Sequence, residues 1–325
     1  MNKRSILMVI LLVGCSVSPR QKAQEILQAG REDESAIIRV NAVIGSQPIG
    51  DTVGVRALWE VLNGNNRDGV TAAIDALYDL GNQPLSQLFI KFTENEDPLI
   101  RTEAYRLIAI IDDVKCRDIL IKGTHDNISK IRRISYLGLG KFKEEKIIHN
   151  GLRDIDPLVR IASAHALGNL GEKGMANIIK MEMKINNIEI CQQSIIALAE
   201  IGDTSAIPFI KGFLTDAPWD LRITAVEALL ILENLDGLEV LKQGLKSNDP
   251  FVRVKCVEIL KRFTIPEFHD LLKVATADEY INVSLVAIQA LNNYHKKEDK
   301  QIFEKLMEAS SPLVKIAAAG AYLRD

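Results

Sequence analysis

Three things are scarce in this chain: aromatic side chains, an excess of charge of either sign, and apolar runs long enough to cross a bilayer. Phe, Tyr and Trp make up 5% of the 325 residues, and 40 Lys and Arg stand against 43 Asp and Glu. The net charge of −3 carries neither the basic signature of a nucleic-acid partner nor the imbalance of gross disorder. The apolar run Ile6 to Val13 is eight residues, whereas a spanning helix needs about 20, and no other long apolar segment exists. Signatures of chemistry are missing too. There is no G-x-S-x-G, no H-E-x-x-H and no phosphate-binding glycine loop.

What the chain does have is a repeat. Asp156 to Gly171, DPLVRIASAHALGNLG, reads as one helix with its punctuation attached. Asp156 is a good N-cap, because its carboxylate can accept from the free backbone donors of the first turn. Pro157 follows at the first helical position, where a missing N–H costs nothing, and Gly168 and Gly171 loosen and end the helix. Stepping outward from Arg160 gives Val70, Arg101, Arg132, Arg160, Cys191, Arg222, Arg253, Ser284 and Lys315, with seven intervals of 31 residues and one of 28. Three residues on, every member is small: Ala73, Ala104, Ser135, Ser163, Ser194, Ala225, Cys256, Ala287, Ala318. Seven residues on, every member is bulky: Leu77, Ile108, Leu139, Leu167, Leu198, Leu229, Leu260, Leu291, Tyr322. Arg39, with Ala42 and Gly45, is a fainter earlier copy.

Agreement at a fixed period is the signature of a solenoid. The small column lets helices approach closely and the bulky one fills the seam. A second helix lies between successive copies, for example Ile207 to Leu214, Leu238 to Leu245 and Ile302 to Leu306. Each helix is too short to persist alone in water, so stability is a sum over stacked neighbours. The expected fold is all-α: a right-handed α-solenoid of about nine or ten antiparallel helix pairs over residues 21–325.

The D-P-x-V-R starts at Asp156 to Arg160 and Asp249 to Arg253, the near match Asp97 to Arg101, and A-x-x-A-L runs such as Ala225 to Leu229 resemble the HEAT repeat family. The short period is similar to the HEAT-like repeats of phycobilisome bilin lyases. That resemblance implies the architecture across roughly residues 35 to 325; an activity carried over on fold alone has poor warrant. HEAT-like di-iron hydroxylases use His-Glu pairs. Here the five histidines are followed by Asp126, Asn150, Ala166, Asp270 and Lys296, so that activity is rejected. The reading assigns no catalytic residue, no metal ligand and no cofactor.

The N-terminus reads as a leader. Lys3 and Arg4 precede the apolar run, which ends in Leu12-Val13-Gly14-Cys15. This order resembles a bacterial lipobox and implies a signal peptide over 1–14, lipid on Cys15 and a tether over 15–20. Acyl chains, worth about 0.8 kcal/mol per buried methylene, would then hold the protein at a membrane of the bacterial cell envelope.

Spacing also weighs the remaining candidates. Cys191 and Cys256 sit two repeats apart. At about 10 Å per packed layer they are on the order of 20 Å apart, which excludes a disulfide, and Cys256 reads as a packed thiol. His165 and the carboxylates Glu227 and Glu258 share one column, read as a solvated face on which no His/Glu site forms. A sharper reading makes Glu200, Glu227 and Glu258 an acidic patch for a basic protein partner. Trp219, at an inter-helix turn, is either packed or an anchor for that partner. The repeating arginines read as partners of the N-cap Asp of their own repeat. Residues 115–146 carry nine basic against four acidic side chains, and 216–249 carry seven acidic against three basic, an unevenness that can orient a partner. The last helix pattern, Ala317 to Leu323, has no polar cap after it and is expected to offer a face for self-association.

Together these point to a membrane-anchored, non-enzymatic protein-binding scaffold that uses the surface lined by the second helix of each pair. The alternative is a HEAT-like lyase or chaperone acting on a chromophore-bearing or modified protein.

Overall fold

The structure, a computed structural model, describes residues 17–46, 85–185 and 187–324. Cys15, Val70, Ala73, Leu77 and the leader lie outside the described residues. Every regular element among those described is helical. In chain order they are α1 (Pro19–Arg31), α2 (Ala36–Gly45), α3 (Leu85–Phe92), α4 (Pro98–Ile110), α5 (Val114–Gly123) and α6 (Ser129–Leu139). Then come α7 (Glu145–Gly151), α8 (Pro157–Asn169), α9 (Met175–Glu182), α10 (Ile188–Glu200), α11 (Ile207–Lys211) and α12 (Trp219–Ile231). The last six are α13 (Leu238–Gly244), α14 (Pro250–Arg262), α15 (His269–Ala275), α16 (Ile281–Asn292), α17 (Lys300–Leu306) and α18 (Pro312–Arg324).

The result is an α-solenoid of alternating helices. Those carrying the 31-residue column stack on one another as one layer, and the helices between them, mostly shorter, form the other. Helix starts follow the local chemistry: Asp97, Asp156 and Asp249 accept from the backbone N–H of Leu99, Leu158 and Phe251 at 2.8–2.9 Å, each with proline next in the chain. Ser18 caps α1 together with Gln21, so the tether ends two residues earlier than the sequence suggested. The three residues missing between Arg132 and Arg160 leave both of their helices long and fall in the stretch holding the seven-residue α7.

The two columns do what their residue types require. Ala104, Ser135, Ser163, Ser194, Ala225, Cys256, Ala287 and Ala318 are wholly buried. For Ser135, Ser163 and Cys256 the reason is a glycine on the crossing helix: a Cβ on Gly123, Gly151 or Gly244 would overlap their side chains. The bulky column from Ile108 to Leu291 is at most 1% exposed.

The arginines correct one expectation. Their N-cap aspartates are spent on backbone donors. Each guanidinium instead ties the preceding turn through its carbonyls, as in Arg101 to Asn95 and Glu96, Arg132 to Asp126 and Asn127, and Arg160 to Asp154 and Ile155. Three of them then reach forward to an acid of the next turn. Arg132 forks onto Asp154 at 2.8 Å, Arg160 onto Glu182 at 2.6 Å, and Arg253 onto Asp278 at 2.8 and 2.9 Å. The pairs run between repeats because the neighbouring turn stacks directly above. Arg39 bonds the carbonyls of Asp33 and Glu34 in the same way, which marks α1 and α2 as a true repeat.

That first pair closes the array. Helices α1 and α2 pack on α18 as a short helix and the next long helix pack on any long helix within the stack. Ala23, Leu27 and Ala42 join Met307, Ile316, Ala318, Ala319 and Leu323 in one apolar cluster. A Cβ on Gly320 would lie 2.7 Å from the Gly45 Cα, so backbone meets backbone there. Lys22 pairs with Glu308, and Arg324 donates to the Ile44 carbonyl. The last repeat is therefore capped by the first, and the open face expected for self-association is covered. The cap escaped sequence reading because it is supplied from the far end of the chain.

Candidate functional site on the inner face

Curvature decides which layer is the inner one. In a flat stack, alternate long helices stand on the order of 20 Å apart. Yet Arg262 Nη2 of α14 reaches Glu200 Oε1 of α10 at 3.2 Å, and Arg133 Nη1 of α6 reaches Glu189 Oε1 of α10 at 3.5 Å. The layer of long helices is the concave one. The column-bearing helices therefore line the inner surface, and the second helix of each pair lies on the outer one.

Two cavities abut on this face. The first, about 620 Å³, runs across α4, α6, α8 and α10, with an apolar floor of Ile110, Ile134, Leu137 and Ala166. Arg106 and Lys141 stand at its rim, and His165, Asn169 and Glu200 form its polar end. Ile110 and Leu137 are 44% and 40% exposed, unusual for large apolar side chains in the middle of a helical layer. The second cavity, about 340 Å³, spans α10, α12 and α14 between Gln193, Ile196, Glu227, Lys255, Glu258 and Arg262. Glu200 belongs to the first, and its partner Arg262 to the second, so this ion pair is the wall between them.

The structure relocates His165. It is 6% exposed, and its Nε2 lies 3.0 Å from Asn169 Nδ2 and 3.2 Å from Glu200 Oε2. The solvated-face reading fails because curvature swings the end of α10 over the middle of α8, burying the imidazole under the next repeat. A His/Glu contact does form, with Glu200. Burial pushes the His165 pKa down, against the opposing pull of Glu200, so the ring is held neutral.

The three candidate carboxylates line this face, but not as a bare acidic patch. Glu200 and Glu227 both pair with Arg262, and Lys255 pairs with Asp220 beside them. Glu258 is exposed in the second cavity. Trp219 sits apart from the cavities at the start of α12. It is half-buried against the neighbouring core, with the Arg222 guanidinium 4.2 Å from its ring centroid. Sequence reasoning missed the apolar cavity. Its lining residues stand two, five, six, eight, nine and ten places after the arginine column, a pattern visible only once that side is known to be concave.

The HEAT repeats family matches residues 183–261, which take in α10, α12 and all but the last residue of α14. That stretch consists of HEAT repeats. No curated protein matches the chain in sequence. Among solved structures, the complex of CpcE and CpcF of phycocyanin lyase from Nostoc sp. is similar at 20% identity, over 75% of this chain and 96% of that one, with a TM-score of 0.46. Human deoxyhypusine hydroxylase in complex with glycerol is similar at 14% identity, over 74% and 96%, with a TM-score of 0.37. An engineered protein covers 94% of this chain and 99% of its own at 16% identity and a TM-score of 0.33. Likeness at this level carries no statement about activity.

Proposed function

We propose that the protein is a non-enzymatic binding scaffold whose inner face receives a segment of a partner protein. The observation that carries this reading is the pair of abutting cavities, one apolar and one charged, formed by the stacked inner helices. Exposed Ile110 and Leu137 offer area for an apolar anchor. Glu258, with Glu200 and Glu227 sharing a single guanidinium, offers acceptors to a basic residue beside that anchor. Neutral His165 and Asn169 supply orientation at the junction.

The lipobox-like Leu12 to Cys15 supports a second part of the proposal: attachment through lipid at Cys15, in the bacterial envelope. Ser16 to Ser18 then leave only three residues between anchor and α1, holding the closed array against the membrane surface.

The binding reading is tested with a photo-crosslinking residue in place of Leu137, compared with one in place of Val274 on the outer layer, in cells. A discrete adduct at Leu137 that disappears with Glu200→Lys is expected; identical products from both positions would sink it. Labelled palmitate should enter the wild type and not Cys15→Ala, and no label in either rules out the anchor.

A further inference from the structure

We propose that the rim of the array beside Ser18, made by the starts of α1 and α17 and the end of α18, docks on anionic phospholipid headgroups. This rests on the lipid anchor proposed above and adds what an anchor alone leaves open, which rim meets the membrane. Helix α18 packs on both α1 and α17 and runs against them, so its end meets their starts. Lys300 Nζ stands 5.5 Å from the Tyr322 ring centroid, and the charge of Arg20 acts on the same side chain, favouring its ionised form against burial and Glu304. Arg324 reaches the Ile44 carbonyl, at the end of α2, at 3.3 Å.

The charge of this rim departs from the slightly acidic whole. Residues 18–20, 295–300 and 322–324 hold Arg20, Lys296, Lys297, Lys300 and Arg324 against Glu298 and Asp299. Asp299 is buried against His269, so Glu298 is the one exposed acid among them. Lys296 donates to His269, and among the described residues no carboxylate pairs with Arg20, Lys297, Lys300 or Arg324. The turns at the other ends of the outer helices are the reverse. Residues 32–35, 276–280 and 307–311 hold Glu32, Asp33, Glu34, Asp278, Glu279 and Glu308, with no Lys or Arg. Lys22, one turn into α1, already leans that way onto Glu308. An anionic surface therefore attracts one rim and repels the other. Distance allows it: three extended residues from anchor to α1 span about 10 Å, close to the Debye length of about 8–10 Å. Val17, 53% exposed, adds an apolar contact at the headgroup boundary. A basic patch beside a lipid is the second signal that steadies a single-chain anchor.

The test is sedimentation of the full chain carrying Cys15→Ala with vesicles of phosphatidylcholine alone, or with about one-quarter phosphatidylglycerol, at about 0.1 M and about 0.5 M salt. Binding to the phosphatidylglycerol vesicles at low salt is expected, falling several-fold at high salt. Arg20→Glu with Lys297→Glu, both exposed, should weaken it several-fold. Lys184→Glu with Lys246→Glu, the same change in net charge at the opposite turns, should leave it unchanged. The residues before Ser18 are common to both double variants, so the difference between them belongs to the rim. Equal losses in the two variants, no loss in either, or equal binding to both vesicle types overturns the docking surface. Absence of palmitate label would remove the anchor alone, since this measurement is made without lipid on Cys15.

Discussion

Three of the small residues three places after the arginine column, Ser135, Ser163 and Cys256, lie against a glycine of the crossing helix. Gly151 shows how tight the contact is, because a methyl there overlaps Ser163 and comes within 2.9 Å of the Tyr136 ring. Gly151→Ala should lower stability by about 1–3 kcal/mol. A fall in the urea midpoint with unchanged slope is the expected sign. Adding Ser163→Ala should return part of the loss; no recovery would place the clash elsewhere. The same burial governs the thiols. It pushes Cys256 up to about 12 and Cys116 up to about 11, whereas Cys191 is only half-buried. Since the thiolate is the nucleophile, iodoacetamide at pH 8 should label Cys191 first, as read by peptide mass spectrometry. Early labelling of Cys256 would mean that the α13–α14 contact opens readily.

Between elements, the arginine ladder turns a stack of marginal helices into one cooperative unit. Each guanidinium is bonded to its own turn, and those of Arg132, Arg160 and Arg253 also to an acid of the next. The Arg132 hydrogen bonds hold the Asp154 carboxyl below its ordinary value of 3.8, against the opposing effect of burial. A carboxyl with a depressed folded pKa stabilises fully above its unfolded value, and that stabilisation is lost as pH falls through the folded one. Stability should therefore decline from about pH 4 downward, in part through this pair. Asp154→Asn should cost about 1–3 kcal/mol at pH 7 by leaving a half-buried guanidinium without its counter-charge, and should flatten the acid limb in urea titrations at pH 7 and pH 3. An unchanged acid slope in the variant would assign that dependence to other carboxylates. The inner ladder was half legible: the 31-residue column showed the arginines, but their acids follow at 22 or 25 residues and carry no fixed type. A second ladder, in which donors on the outer helices reach acids of the next repeat, was not legible at all. Ser86, Arg117, His149, Lys180 and Lys211 fall 31 or 32 residues apart, yet share no chemistry beyond the ability to donate.

For the whole molecule, the decisive contact joins residues as far as 286 apart in sequence, as in Lys22 and Glu308. Closure of α1 and α2 onto α18 buries the end that a solenoid must otherwise protect. A zero-length carbodiimide crosslink should join Lys22 to Glu308 within one chain. Gly45→Val should remove it, by forcing apart the glycine contact with Gly320, and should lengthen the molecule in small-angle scattering. A Lys22–Glu308 product found only in dimers would show that the first pair caps a second copy instead.

Period, column types and capping residues settled the class of fold before any coordinates, because helix pairing in a repeat depends on contacts between near neighbours in sequence. Those contacts recur often enough to be read as columns. Curvature and closure were settled only in three dimensions. Small rotations per repeat accumulate over the array, and their sum brings Arg262 to Glu200, folds His165 under its neighbour and carries the first helices to the last. No single repeat encodes that sum.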